Sequence, residues 1–191
     1  MPDEALLRLW EQRWPLCPPI AHELKSAYPD RWVRFHSLPK SKRYPDTEAE
    51  YAVVLGRYNT VLDELFHGKD VYVITPDWSG TAHPGQRPDD HARWLPGARH
   101  WVSVPIGDDP EEPYYTHLFV SRITWRRGEV DELLRAVADD AIAEVIITDV
   151  DLHRIHHPYD GGADVLLTTS AERDQVRSRH ADWLSAHPNG L

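Results

Sequence analysis

Hydrophobic and polar positions along this chain follow two periods, and the switches between them mark its elements. Through residues 47–66 apolar side chains recur at three- and four-residue steps: Tyr51, Val54, Leu55, Tyr58, Val61, Leu62, Leu65 and Phe66. That spacing predicts one amphipathic helix lying on a sheet, with Tyr51, Leu55, Leu62 and Phe66 buried. Thr47 and Glu50 form a capping-box pair ahead of it, and His67 and Gly68 supply its stop. A strand-length apolar run follows at 71–75. Residues 32–37 have the other period, with Val33 and Phe35 on one side and Trp32, Arg34 and His36 on the other. A half-buried strand reads this way.

The same reading places short helices at 3–14 and 20–28, the first limited by Pro15. Residues 114–125 form a long strand, apolar on both faces around Leu118, Phe119 and Val120. A helix follows at 129–137, then buried strands at 145–148 and 165–168, and a closing helix over 171–185 behind a second capping pair, Thr169 and Glu172. Seven of the 16 prolines fall between Pro76 and Pro113, so residues 76–113 read mostly as loop around a short strand at 100–104. A loop this long in a compact domain commonly serves function or covers a sheet edge. Helices and strands do not alternate regularly, which excludes a doubly wound parallel sheet. The expectation is an α+β fold: a single globular domain over 1–191, opened by the helices within 1–30, with a mixed or mostly antiparallel sheet and helices packed largely on one face.

Composition adds limits. The chain has 191 residues, enough to bury a real core without disulfide or metal staples. Its one cysteine, Cys17, excludes an internal disulfide framework and the multi-cysteine zinc modules. No apolar run approaches a membrane span and the N-terminus is not a signal peptide, so a cytoplasmic setting without membrane contact is expected. Against 21 Lys and Arg stand 31 Asp and Glu, a net charge of −10 with histidine neutral. That charge opposes nucleic acid. Yet residues 31–43 hold Arg31, Arg34, Lys40, Lys42 and Arg43 with no carboxylate. This basic island is either an anion site or the counterweight to an acidic face of the same fold.

Three groups of residues invite chemistry. His36, Ser41, Lys42 and Arg43 sit between a strand end and a helix start, where a hydroxyl, an ammonium, a guanidinium and free N–H groups would suit a phosphate or carboxylate. The glycines of a phosphate-binding loop are missing, and Glu48 and Glu50 would compete for the helix start. Arg57 and Asn59 lie in the long helix, where Asn59 is a poor interior residue, and Arg57 is a further ligand-binding candidate. The stretch from Asp149 to Asp164 gathers His153, His156, His157, Tyr159 and Asp160. It matches no metal-ligand spacing, so no metal or cofactor is predicted. Gly161 and Gly162 imply a tight connection in which Asp160 caps its own backbone. The competing role for Asp160, beside His156 or His157, is acid, base or metal ligand; His36, His157 and Asp160 are the catalytic candidates. Trp78 and Trp94 lie in the proline-rich segment, where an exposed indole would suit a partner. Trp10, Trp32, Trp101, Trp125 and Trp183 fall in predicted elements and are assigned to the core.

The run His157-Pro158-Tyr159-Asp160-Gly161-Gly162-Ala163-Asp164, with a closing helix that ends near Trp183, resembles a bacterial domain-of-unknown-function family, number 3885. Residues 58–66 leading into 71–75 are similar to that family's earlier helix–strand pair. The resemblance is carried mainly by the C-terminal third, and the family usually has Arg where Gly161 or Gly162 stands here. It implies no activity or cofactor. Two function classes follow. One is a small acidic binding protein whose partner is another protein, such as a cognate inhibitor or immunity-type protein. The other is an enzyme acting on an anionic small molecule through His36, Lys42 and Arg43.

Overall fold

One seven-stranded sheet organises the computed structural model, which describes residues 2–107 and 112–185. The elements in chain order are α1 (Pro2–Arg13), α2 (Ala21–Ala27), β1 (Trp32–His36), α3 (Glu48–Phe66), β2 (Asp70–Ser79), α4 (Asp89–Trp94) and β3 (Arg99–Ile106). After these come β4 (Tyr114–Thr124), α5 (Asp131–Ala138), β5 (Ile146–Asp149), β6 (Ile155–Tyr159), β7 (Gly162–Leu166) and α6 (Ser170–Arg179). The sheet order is β1-β7-β6-β5-β2-β4-β3, and every neighbouring pair is antiparallel. This is the expected α+β domain.

The long helix forms as its period predicts. Thr47 Oγ1 accepts the Glu50 N–H at 3.3 Å, and the Glu50 carboxylate reaches back to the Asp46 N–H at 2.7 Å. Val54, Tyr58, Leu62 and Phe66 are buried against the sheet face of Val33, Val71, Val73, Ile147 and Val165. Tyr51 and Leu55 flank this seam and are only half-buried. Tyr51 is turned outward because its hydroxyl donates to Asp139 and Arg135 lies over its ring. Asn59 is buried: Nδ2 donates to Leu55 O and to Asp131 Oδ1 at 2.7 Å, and Oδ1 accepts the Gly128 N–H at 3.0 Å. It ties the helix to the turn that starts α5.

The helices divide between the faces. With α3 lie α5 and Val176 of α6, whereas α1 and α2 place Leu6, Trp10, Ala21 and Leu24 on the other face, against Ile74, Leu118, Ile146 and Leu166. Central strands are therefore covered on both sides, which is why Val73-Ile74, Ile146-Ile147 and Val165-Leu166 read as continuous apolar runs.

Two regions correct the sequence reading. Within 76–113, β2 runs on to Ser79, β3 spans eight residues, and α4 adds a short helix; residues 108–111 lie outside the described residues. Proline did not stop these strands because it stands where a hydrogen-bond partner is missing. β5 pairs with β2 only through Ile74, so Pro76 has a partner on one side alone, and Pro105 sits on β3, an edge of the sheet. The second region is 149–164, expected as a tight connection, which contains the extra strand β6. The closing helix, expected over 171–185, ends at Arg179, and a single tight turn over Ala181–Trp183 follows it.

Candidate functional site

Arg34, Lys42 and Arg43 of the basic island fold onto carboxylates, and Arg31 donates to the Leu167 carbonyl at 2.8 Å. Arg34 lies on β1 opposite Asp164 of β7, and its Nε and Nη2 hold that carboxylate at 2.7 and 2.9 Å. Arg43 Nε and the Tyr44 hydroxyl both donate to Asp160 Oδ2, each at 2.7 Å. Lys42 turns to Asp46 and Glu50 at 2.7 and 2.6 Å. Between these, Lys40 and Ser41 take the left-handed backbone region at φ 58° and 55°, an uncommon pair for non-glycine residues. Arg57 Nη1 donates to the His36 carbonyl at 2.8 Å.

The structure thus joins part of the predicted site and separates the rest. Arg34, His36, Ser41, Arg43, Tyr159, Asp160 and Gly161 line one open pocket of about 240 Å³. Lys42 is on different partners, and Arg57 braces the strand end behind His36. The His36 imidazole is pulled below its usual range, first by burial and then by the positive charges of Arg34 and Arg57. Its Nε2 is buried without a hydrogen-bond partner. The two guanidiniums that line the pocket are each held by a carboxylate, Arg34 by Asp164 and Arg43 by Asp160, while Arg57 behind His36 has only a carbonyl. Three of the island's five cations, Arg34, Lys42 and Arg43, are thus paired with the fold's own acids.

The turn itself departs from expectation. Asp160 does not cap its own backbone; it accepts from Arg43 and Tyr44, more than a hundred residues earlier. Tyr58 of α3 completes the clamp by donating its hydroxyl to Tyr159 O and Gly162 O at 2.6 and 3.1 Å. A Cβ at Gly162 would stand 2.2 Å from Phe35 O, so this position admits no side chain. The histidines do not converge. His156 points into the α3 face, edge-on to Tyr58, while His157 points to the other face with Nδ1 on Val145 O at 2.9 Å. Burial drives His156 down to about 3, with His157 adding to the shift. Among the described residues no group of three or more His, Cys, Asp or Glu side chains is placed to hold a metal ion.

Of the two loop tryptophans, Trp94 is half-buried with His91 stacked on it at 5.4 Å. Trp78 stands exposed on β2. Register places it in one row with Thr116 and Val104, and the next row of that face pairs Tyr114 with Ile106. Tyr114 is also exposed. The strip runs into an apolar groove of about 500 Å³ between α1 and β3, lined by Trp10, Trp14, Pro18, Val102 and Val104. The strip crosses β2, β4 and β3 and reaches the free edge of the sheet, with the groove, at Val104 on β3.

The opposite face of the same strands holds a polar network that no sequence motif marks. His117 of β4, 1% exposed, pairs across the sheet with Asp77 of β2 and Ser103 of β3. Its Nε2 is 2.8 Å from Ser79 Oγ and its Nδ1 is 2.7 Å from Ser103 Oγ, which is 3.0 Å from His100 Nε2. Asp77 Oδ1 meets His91 Nδ1 of α4 at 2.5 Å. The signal was available in principle, since Asp77 and Ser79, and Tyr115, His117 and Phe119, share strand parity. Only the pairing of β2, β4 and β3 shows that they meet.

Fold and site together define an antiparallel α+β domain with three internally paired cations in its basic island and an apolar strip that reaches one sheet edge. The chain belongs to the family described as Domain of unknown function (DUF3885), whose model matches residues 20–188. The match is thus nearly chain-long and not confined to the last third. No curated protein and no solved structure matches the chain. Among the described residues no helix is long and apolar enough to cross a membrane.

Proposed function

We propose that this protein is an acidic protein-binding domain of the inhibitor or immunity type, and that it docks a basic partner along the Trp78 strip. The observation that carries the reading is the exposed Trp78, continuous through Val104 with the α1–β3 groove. Tryptophan and tyrosine anchors beside a pocket are the residues that dominate protein interfaces. The partner's charge follows from the island: Arg34, Lys42, Arg43 and Arg57 are held by carboxylates or a carbonyl, so the net −10 is left to steer a basic protein. The balanced charges of the His36 pocket speak against the alternative, an enzyme for anionic small molecules. A bacterial cytoplasmic setting belongs to the same reading; burial pushes the Cys17 thiol up to about 11, so it stays an unreactive thiol.

Selection of a displayed random-peptide library on the folded protein tests this. Lys- and Arg-rich peptides with aromatic or aliphatic anchors should be enriched. Trp78→Ala should weaken them by at least about tenfold, the loss typical of an interface anchor. Enrichment of acidic peptides, or binding indifferent to Trp78→Ala, would overturn the proposal. So would a dimer in sedimentation that Trp78→Ala abolishes, because the strip would then belong to a second copy of this chain.

A further inference from the structure

Beyond the docking strip, and independent of it, lies the network around His117. Its parts come from three neighbouring strands, so their spacing is fixed by sheet pairing and not by a loop. Ser79 Oγ, His117, Ser103 Oγ and His100 Nε2 form an unbroken chain of contacts at 2.8, 2.7 and 3.0 Å. The hydroxyls allow a directed arrangement. In the arrangement that activates Ser79, its hydroxyl donates to His117 Nε2 at 2.8 Å rather than to Thr81 O at 3.3 Å, His117 Nδ1–H donates to Ser103, and Ser103 donates to His100. Ser79 Oγ also accepts the Thr81 N–H at 3.3 Å, a contact that stabilises negative charge on that oxygen. Ser79, Ser103 and His100 are each half-buried around an imidazole closed to water, and Ser79 is the hydroxyl on its Nε2 side.

We infer that Ser79 is a nucleophile activated by His117, with Ser103 positioning the imidazole, and that this site cleaves carboxylic esters with an apolar acyl group. A nucleophile in hydrogen-bond reach of a base, itself oriented by a third group, is the arrangement that covalent acyl transfer requires. The surroundings select the substrate class. Tyr115, the cross-strand partner of Ser79, is half-buried, stacks on the imidazole at 6.2 Å and is the apolar surface beside the hydroxyl, whereas Phe119 is buried beneath Arg87 and His100. Arg87 is not free to clamp a phosphate, because Asp77 faces it at 3.5 Å, Thr75 Oγ1 accepts from it at 3.0 Å and Phe119 lies under it at 4.6 Å. The His91–Asp77 contact pins α4 over this end of the sheet. In the step itself, Ser79 Oγ bonds to the ester carbonyl carbon as its proton passes to His117 Nε2. The bond to the alcohol oxygen then breaks, and the alcohol leaves with that proton. Water, deprotonated by His117, cleaves the acyl-Ser79 ester and releases the carboxylic acid. Burial holds His117 below its usual range, opposed by the Asp77 carboxylate, so the base is neutral at pH 7.

The test is covalent labelling of the intact protein with a fluorophosphonate probe, mapped by peptide mass spectrometry, beside hydrolysis of a short-chain 4-nitrophenyl ester. Label is expected on Ser79, absent in Ser79→Ala, and slowed about a hundredfold or more in His117→Gln, the usual worth of a general base. The labelling rate should fall as pH drops through the imidazole's titration. Ser103→Ala should shift the midpoint of that profile, which a purely structural role would leave in place. Should His117→Gln fail to fold, the Ser79→Cys variant keeps the test alive, since His117 should make the introduced thiol react with iodoacetamide faster than Cys17. Absence of label from the folded wild type, label at another residue, or an introduced thiol no faster than Cys17 would overturn the assignment.

Discussion

His156 should make this protein lose stability between pH 7.5 and pH 5, well before its carboxylates titrate. The imidazole is fully buried at the centre of the sheet, and neither ring nitrogen has a hydrogen-bond partner. Burial lowers it from 6.5 to about 3. The unfolded chain therefore binds a proton in this window that the folded chain refuses, and stability falls as pH falls. Linkage gives about 2 kcal/mol lost by pH 5, rising towards a ceiling of about 5 kcal/mol below pH 3. The carboxylates held by cations, such as Asp63 and Glu172, are shifted downward, so their contributions disappear only at lower pH. His36 and His117 are also lowered and add to the wild-type slope with the same sign. The difference between wild type and His156→Leu isolates the one residue. Urea melts at pH 7.5, 6 and 5 should show the variant losing about 2 kcal/mol less than wild type across that range. Leucine also removes two buried polar atoms, so no large loss is expected at pH 7.5. Parallel pH curves for the two proteins would refute the reasoning, because His156 would then have found a partner or water.

Leu62, fully buried under α3, should cost about 2–5 kcal/mol when cut to alanine in denaturant melts, and a loss under about 1 kcal/mol would misplace the helix face. Asn59→Ala should cost about 1–3 kcal/mol by unpairing Asp131 and the Gly128 N–H, with hydrogen exchange faster at the start of α5. Gly162→Ala should prevent normal folding, since its Cβ meets the Phe35 carbonyl, whereas Gly161→Ala, whose tightest contact is the flexible Arg43 stem at 3.3 Å, should melt near wild type. Binding to random duplex DNA should be undetectable by filter assay at about 150 mM salt, because the net charge of −10 opposes a polyanion and Arg34, Lys42 and Arg43 are held by internal carboxylates.

The sequence by itself determined the elements whose information is local. The 3.6-residue stripe with its Thr47 cap specified α3, Thr169 and Glu172 specified the start of α6, and the doubly apolar runs specified buried strands. The α+β class followed from their order. What only the tertiary structure decided was which distant residues meet. Proline in 76–113 signalled loop because local propensity cannot tell an interior strand from one with a missing neighbour. Lys42 and Arg43 looked like one anion site because their partners, Glu50 and Asp160, lie 8 and 117 residues away. His156 and His157 looked like a cluster, yet strand alternation sends them to opposite faces. The Ser79–His117–Ser103 chain was invisible for the same reason: a sheet joins residues across strands, and pairing order is written in the packing of the whole core.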